Sequence, residues 1–84
     1  MTPRRLELIG RGDCELCHDL LVMLEPYRQA GRIVIETSVP EDHPALAESI
    51  QWRLPVLLEG GRELMWGRVE AAEVEAALGE PPAC

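Results

Sequence analysis

Residues 10–18 read Gly10-Arg11-Gly12-Asp13-Cys14-Glu15-Leu16-Cys17-His18 and join a strand-like run to a helix-like run. Two cysteines three apart share one face of the first helical turn, where their sulfurs can bond and separate with little backbone movement. The N-terminus of a helix also favours a thiolate at Cys14, through its partial positive charge and unpaired N–H groups. The spacing therefore predicts a dithiol redox site with Cys14 and Cys17 as catalytic residues.

The composition is that of a small globular protein. The chain has 84 residues, of which 46% are hydrophobic and 27% are charged, so one domain with a small core is expected.

The net charge of −7 argues against nucleic acid or an anionic membrane as a partner. No apolar run is long enough to cross a membrane, and none follows Arg4 and Arg5 as in a signal peptide. We therefore expect a cytoplasmic protein, in which an isolated CxxC pair is more often catalytic or metal-binding than structural.

Apolar periodicity predicts the element order β-α-β-α-β-β-α. Gly10 and Gly12 are expected to let the chain turn after the first strand. The second strand is apolar throughout, which predicts that it is covered on both faces. These elements form a domain over residues 1–79, followed by a flexible tail, 80–84, whose Cys84 is expected to be an idle thiol. The predicted elements are strand 5–9, a helix from 15 that ends between Pro26 and Gly31, strand 33–35, a short helix from Pro44, strands 56–58 and 63–66 around a Gly60-Gly61 turn, and helix 69–78.

Three stretches carry a resemblance to a known family. They are Cys14-Glu15-Leu16-Cys17 after strand one, Arg53-Leu54-Pro55-Val56-Leu57 at strand three, and Gly61-Arg62-Glu63-Leu64 with Trp66 on strand four. Their order resembles the thioredoxin-like fold and, within it, the small bacterial glutaredoxin-like proteins. The resemblance implies an α/β fold with a four-stranded mixed sheet and flanking helices. It also implies thiol–disulfide oxidoreductase activity, with a cis Pro55 facing the dithiol and the Leu54 backbone pairing with substrate like an added strand.

The family topology brings three loops to one edge of the sheet. They carry Arg11, Arg53, and Gly67 with Arg68, so three arginines are expected around the dithiol. Arginine binds carboxylates well, and glutathione carries two, so these residues are predicted to bind substrate. The implied partners are protein or low-molecular-weight disulfides. Glutathione or a thioredoxin-type reductase is the implied reductant, with no bound cofactor, and the protein is expected to be a monomer.

The cysteine motif also fits haem and metal sites. Cys14 to His18 matches the CxxCH attachment motif of c-type haem, with His18 as one iron ligand and Met23 or Met65 as the other. Such cytochromes are largely helical and are assembled after export, whereas several segments here read as strands. Structural zinc would need a second ligand pair beside the cysteines and His18, and only His43 or Cys84 offers a fourth ligand. A glutathione-bound iron–sulfur cluster bridging two chains is a further alternative.

A non-catalytic binding module of the same fold is the third class of function. Its disulfide would be structural, and Trp52 and Trp66 would form a patch for a partner. Because the chain contains no Phe, we instead expect both Trp side chains to pack against the small core. His18 is expected either to lie beside the Cys14 thiolate or to be an exposed helix residue.

Overall fold

The structure is a computed structural model that describes residues 2–82. Cys84, at the end of the predicted tail, lies outside the described residues. The predicted order β-α-β-α-β-β-α is confirmed, with one short 3-10 helix added. The elements are β1 Arg4–Ile9, α1 Glu15–Gln29, β2 Ile33–Ser38, the 3-10 helix Pro40–Asp42, α2 Ala47–Ile50, β3 Val56–Glu59, β4 Arg62–Trp66 and α3 Ala71–Leu78. Within residues 2–82, none of the helices has the length and apolar character needed to span a bilayer.

The four strands form one mixed sheet in the order β2-β1-β3-β4. β1 and β2 are parallel and joined by α1, whereas β3 is antiparallel to both β1 and β4. Ile9 lies opposite Val56, which lies opposite Trp66. The end of β1, the start of β3 and the end of β4 therefore meet at one edge, called the dithiol edge below.

Apolar side chains pack on both faces of the sheet, but unequally. The larger cluster lies between the sheet and the helices α1 and α3, and the smaller one lies under α2. Alternate residues of β1 supply the two clusters, since neighbouring side chains of a strand point to opposite faces. The larger cluster contains Leu6, Leu8, Cys17, Leu20, Leu24, Tyr27, Ile33, Leu57, Met65, Val69, Val74 and Leu78. The smaller contains Ile9, Ile50, Val56 and Leu58.

The prediction that the second strand is covered on both faces is wrong. β2 is an edge strand, and it packs against the larger cluster through Ile33 and Ile35. Val34 points to the other face and is 42% exposed. The cause is the size of α2, which has a single turn and covers β1 and β3 but does not extend over β2.

Two helix boundaries also differ from the prediction. Pro44 is predicted to begin the second helix, but α2 begins at Ala47. Residues 44–46 form a turn instead, in which the Leu46 N–H donates to the His43 carbonyl oxygen at 2.9 Å. The last helix begins at Ala71 rather than at Val69, which is buried just before it.

Candidate functional site

A disulfide joins Cys14 and Cys17 at the start of α1, with their Cα atoms 5.2 Å apart. Cys14 is the N-cap of the helix, and its extended backbone (φ −95°, ψ 111°) turns the chain into the first turn. The Cys17 N–H donates a hydrogen bond of 3.2 Å to the Cys14 Sγ atom. Cys14 is half-buried, whereas Cys17 is only 4% exposed. An incoming group therefore reaches Cys14 first, and a helix N–H is already directed at its sulfur.

Gly10 leaves room for this disulfide. A Cβ atom on Gly10 would lie 2.7 Å from the Cys17 Sγ atom and 3.2 Å from a methyl group of Leu8. The chain does turn at Gly12, where the Cys14 N–H donates to the Arg11 carbonyl oxygen at 3.2 Å, whereas Gly10 lies outside this turn. Neither glycine has a positive φ. Gly10 is needed for space, while a Cβ atom on Gly12 would meet nothing within 4 Å.

The segment before β3 approaches the same edge of the sheet. The Leu54–Pro55 peptide bond is cis, the isomer that the resemblance implies. Leu54 packs against both core clusters, including the one that contains Cys17. The Gly67 N–H donates to the carbonyl oxygens of Pro55 at 2.8 Å and Arg53 at 3.1 Å. These bonds fix the loop after β4 to the start of β3.

The three predicted arginines differ in their surroundings. Arg11 donates to Glu41 at 2.7 Å, and this hydrogen bond holds the pKa of the Glu41 carboxyl below its usual value. Arg53 forms an ion pair of 2.8 Å with Glu63. Its guanidinium carbon also lies 5.5 Å from the centre of the Trp66 ring. Arg68 is exposed and forms no ion pair among residues 2–82.

Two depressions flank the half-buried Cys14. The first, called the dithiol groove, has a volume of about 390 Å³, and its lining includes Arg11, Cys14, Cys17, His18, Val39 and Asp42. The second, called the acidic hollow, has a volume of about 500 Å³ and is lined by Gly12, Asp13, Cys14, Glu15, His18 and Asp19. The predicted site residues Arg53, Leu54, Pro55, Gly67 and Arg68 line neither depression. Both depressions therefore open on the α1 side of Cys14.

Sequence reasoning missed two carboxylates of these depressions. Asp19 lies one helical turn after Glu15, so the spacing on α1 was a usable signal for it. Asp42 comes from the 3-10 helix after β2, and its carboxylate accepts the Val39 N–H at 3.2 Å. Only the folded chain brings it beside the cysteines, so no local pattern could identify it.

No protein-family model, curated protein or solved structure matches this chain. Function is therefore inferred from the chain's own side chains. The haem, metal and binding-module hypotheses each require particular histidines, methionines or tryptophans to lie at the site or at the surface.

The histidines and methionines proposed as haem or metal ligands lie apart. His18 is exposed on α1 beside Cys14, whereas His43 is hydrogen-bonded to Glu7 at 2.7 Å. Met65 is buried in the larger core cluster, and Met23 packs against that cluster from its margin. Across residues 2–82, no three His, Cys, Asp or Glu side chains are grouped as metal ligands would be.

A cluster of three polar side chains ties β1, β2 and the following loop together. The Ser38 hydroxyl donates to Glu7 at 2.6 Å, and His43 Nε2 lies 2.7 Å from the same carboxylate oxygen. These hydrogen bonds, that of Ser38 foremost, lower the pKa of Glu7. The cluster lies on the α2 face of the sheet, because Glu7 alternates with Leu6 and Leu8 of the other face.

Both tryptophans lie at the surface. Trp52 is 85% exposed and Trp66 is 53% exposed, so the expectation that they pack against the core is wrong. The core is filled instead by leucines and Tyr27, and Trp66 lies on an edge strand. Trp52 stands two residues before the segment Leu54-Pro55, at the dithiol edge.

Proposed function

We propose that this protein is a thiol–disulfide oxidoreductase with a thioredoxin-like fold of the glutaredoxin-like kind. The observation that carries the proposal is the unequal exposure of the two bonded cysteines at the N-terminus of α1. An accessible sulfur on a helix N-cap can attack a disulfide, and a buried neighbour on the same turn can release the product.

The reaction takes place in two exchanges. In the reduced protein, the Cys14 thiolate attacks one sulfur of the substrate disulfide, and the other sulfur leaves as a thiolate that takes up a proton. The Cys17 thiol then loses its proton and attacks the Cys14 sulfur of the mixed disulfide, which releases the second product thiol. The N–H of Cys17 donates to the Cys14 sulfur and supports negative charge there.

The substrate is proposed to lie against the cis Leu54–Pro55 segment, with the Leu54 backbone pairing to it as an added strand. Gly67 supports this segment through its hydrogen bond to Pro55. Arg11, Arg53 and Arg68 are the proposed contacts for charged groups of the substrate. Glutathione and a thioredoxin-type reductase are the two candidate reductants.

The test is turnover of a small disulfide, supplied separately with glutathione plus its reductase and with thioredoxin reductase. We expect turnover with at least one of them, and we expect Cys14→Ser to abolish it. Cys17→Ser should trap a mixed disulfide at Cys14, visible by intact mass. Cys84→Ser is the matched control and should keep full activity. If Cys14→Ser keeps thiol reactivity while Cys17→Ser loses it, the roles are reversed.

A non-catalytic binding module is the second candidate, and the exposure of Trp52 and Trp66 favours it. Aromatic side chains are enriched at the centres of protein interfaces. This candidate predicts no turnover with either reductant. It also predicts that partner binding is lost in Trp52→Ala and kept in Cys14→Ser, the opposite of the oxidoreductase pattern.

A further inference from the structure

The charges around Cys14 are unbalanced. Three acidic residues line the acidic hollow, Asp13, Glu15 and Asp19, and Asp42 lines the dithiol groove. All four residues are exposed, and none forms an ion pair with any residue from 2 to 82. Asp13 and Glu15 are the immediate chain neighbours of Cys14, so they lie within one screening length of its sulfur at physiological salt.

Two of the three arginines predicted around the site are already paired, and the third, Arg68, lines neither depression. Among residues 2–82, Arg11 is the one arginine that lines either depression, and it is paired with Glu41 at 2.7 Å. Arg53 is paired with Glu63 and stacked on Trp66. A substrate carboxylate would have to compete with Glu41 or Glu63 for these guanidinium groups. The N-terminus of α1 contributes only about half a positive charge, which four carboxylates outweigh.

We propose that the dithiol acts on cationic and neutral disulfides in preference to anionic ones, glutathione disulfide among them. The proposal rests on the proposed function, because it concerns the substrate of the same cysteines. It also means that the arginines bind substrate carboxylates less well than the sequence predicts, because two of the three are paired with acidic residues of the chain.

Three small disulfides with the same two-methylene spacer differ in charge: cystamine carries two ammonium groups, hydroxyethyl disulfide is neutral, and dithiodipropionate carries two carboxylates. The reduced protein, freed of reductant by desalting, is mixed with each, and the rate of its oxidation is followed by thiol trapping and intact mass. One disulfide is consumed per dithiol, giving the protein disulfide and two small thiols. Each rate is divided by that of dithiothreitol with the same disulfide, which removes differences between leaving groups.

The normalised rates should favour cystamine over dithiodipropionate by about tenfold at low salt, with hydroxyethyl disulfide between them. The preference should largely disappear at about 1 M salt, where exposed charges are screened. The ratio of two rates does not depend on the fraction of Cys14 that is ionised, because that fraction enters both rates equally.

Matched variants assign the preference to these residues. Glu15→Gln should lower the cystamine preference about twofold. Glu75→Gln removes the same charge from the exposed side of α3, near Tyr27 at the far end of α1, and should leave the preference unchanged. Glu41→Gln releases Arg11 and should raise the rate with dithiodipropionate.

Each remaining outcome contradicts a specific claim. Equal normalised rates, or a faster reaction with dithiodipropionate, would overturn the charge preference and leave the oxidoreductase function standing. Equal effects of Glu15→Gln and Glu75→Gln would overturn the assignment to the acidic hollow. Failure to reduce any of the three disulfides would overturn the oxidoreductase function itself.

Discussion

At the scale of single residues, the dithiol depends on a glycine that is not part of the CxxC motif. A Cβ atom on Gly10 would lie 2.7 Å from the Cys17 Sγ atom, closer than van der Waals contact allows. While the disulfide is intact, that sulfur is held by Cys14 and cannot rotate away. The backbone of β1 or of α1 would have to move instead.

Gly10→Ala should therefore destabilise the oxidised protein by about 1–3 kcal/mol, the usual cost of overpacking a filled site. The lower flexibility of the unfolded chain offsets only about 0.4–1 kcal/mol of this. The loss should be smaller in the reduced protein, where the Cys17 side chain is free to rotate. Thermal unfolding with and without dithiothreitol measures both quantities.

Gly12→Ala is the matched control, since its Cβ atom meets nothing within 4 Å and its φ is not positive. It should leave the unfolding midpoint unchanged or slightly raised. Equal losses in the two variants would mean that flexibility, rather than space beside Cys17, explains Gly10.

The cysteine pair itself was predictable from sequence, because both residues lie on one helical turn and their spacing fixes their separation. The role of Gly10 was not, since it depends on contact between residues of different elements. The pairing of Arg11 with Glu41 was hidden for the same reason. Local spacing identified the reacting atoms, while the charges around them depend on the folded chain.

At the scale of elements, one cluster holds the far ends of α1 and α3 together. Tyr27 on α1 is buried, and its hydroxyl donates to the Gly79 carbonyl oxygen at the end of α3, at 2.8 Å. The Arg32 guanidinium carbon lies 4.8 Å from the centre of the Tyr27 ring. Arg32 also donates to the carbonyl oxygens of Leu78 and Glu80. Burial, with a smaller contribution from Glu75, raises the pKa of Tyr27.

Tyr27→Phe should lower the free energy of unfolding by about 0.5–1.5 kcal/mol, because it removes one hydrogen bond and keeps the buried ring under Arg32. For a protein of this size, the expected fall in melting temperature is about 4–8 °C per kcal/mol. Disulfide turnover should not change, since the cluster lies at the opposite end of α1 from Cys14. Arg28→Gln, which breaks an exposed ion pair with Glu25, is the control and should change the melting temperature little. A loss of turnover in Tyr27→Phe would contradict this separation of stability from chemistry.

The order and type of the elements were predictable from periodicity, and the antiparallel hairpin was predictable from Gly60-Gly61, both of which have positive φ. The coverage of β2 was not predictable. A three-residue apolar run such as Ile33-Val34-Ile35 favours a covered strand but does not show whether a helix reaches over it. That coverage depends on the length of α2, which is a single turn.

At the scale of the whole molecule, the protein has a net charge of −7. Several of its carboxylates accept hydrogen bonds that favour the ionised form. The pKa values of Glu25, Glu41 and Glu59 are lowered by Arg28, Arg11 and Arg4, respectively. The pKa of Glu7 is lowered by Ser38 and His43. A carboxyl whose pKa is lower in the folded protein than in the unfolded chain stabilises the fold above its unfolded pKa. That stability is lost as the pH falls through the folded value.

The Glu7 carboxylate accepts hydrogen bonds from Ser38 and from His43, so its contribution should be measurable. Its unfolded pKa is about 4.5, so the contribution should be complete near neutral pH and should decline below about 4.5. Glu36 lies opposite Glu7 in the β1–β2 register, and repulsion between them acts in the other direction. The net pKa shift of Glu7 is nevertheless downward, so the hydrogen bonds from Ser38 and His43 outweigh this repulsion.

Glu7→Gln should therefore unfold at a lower temperature than the wild type at pH 7, and the two melting temperatures should converge towards pH 3. Glu48→Gln, on the exposed side of α2, is the control and should follow the wild-type curve. A constant difference between Glu7→Gln and the wild type from pH 7 to pH 3 would mean that the ionisation of Glu7 does not contribute to the stability of the fold.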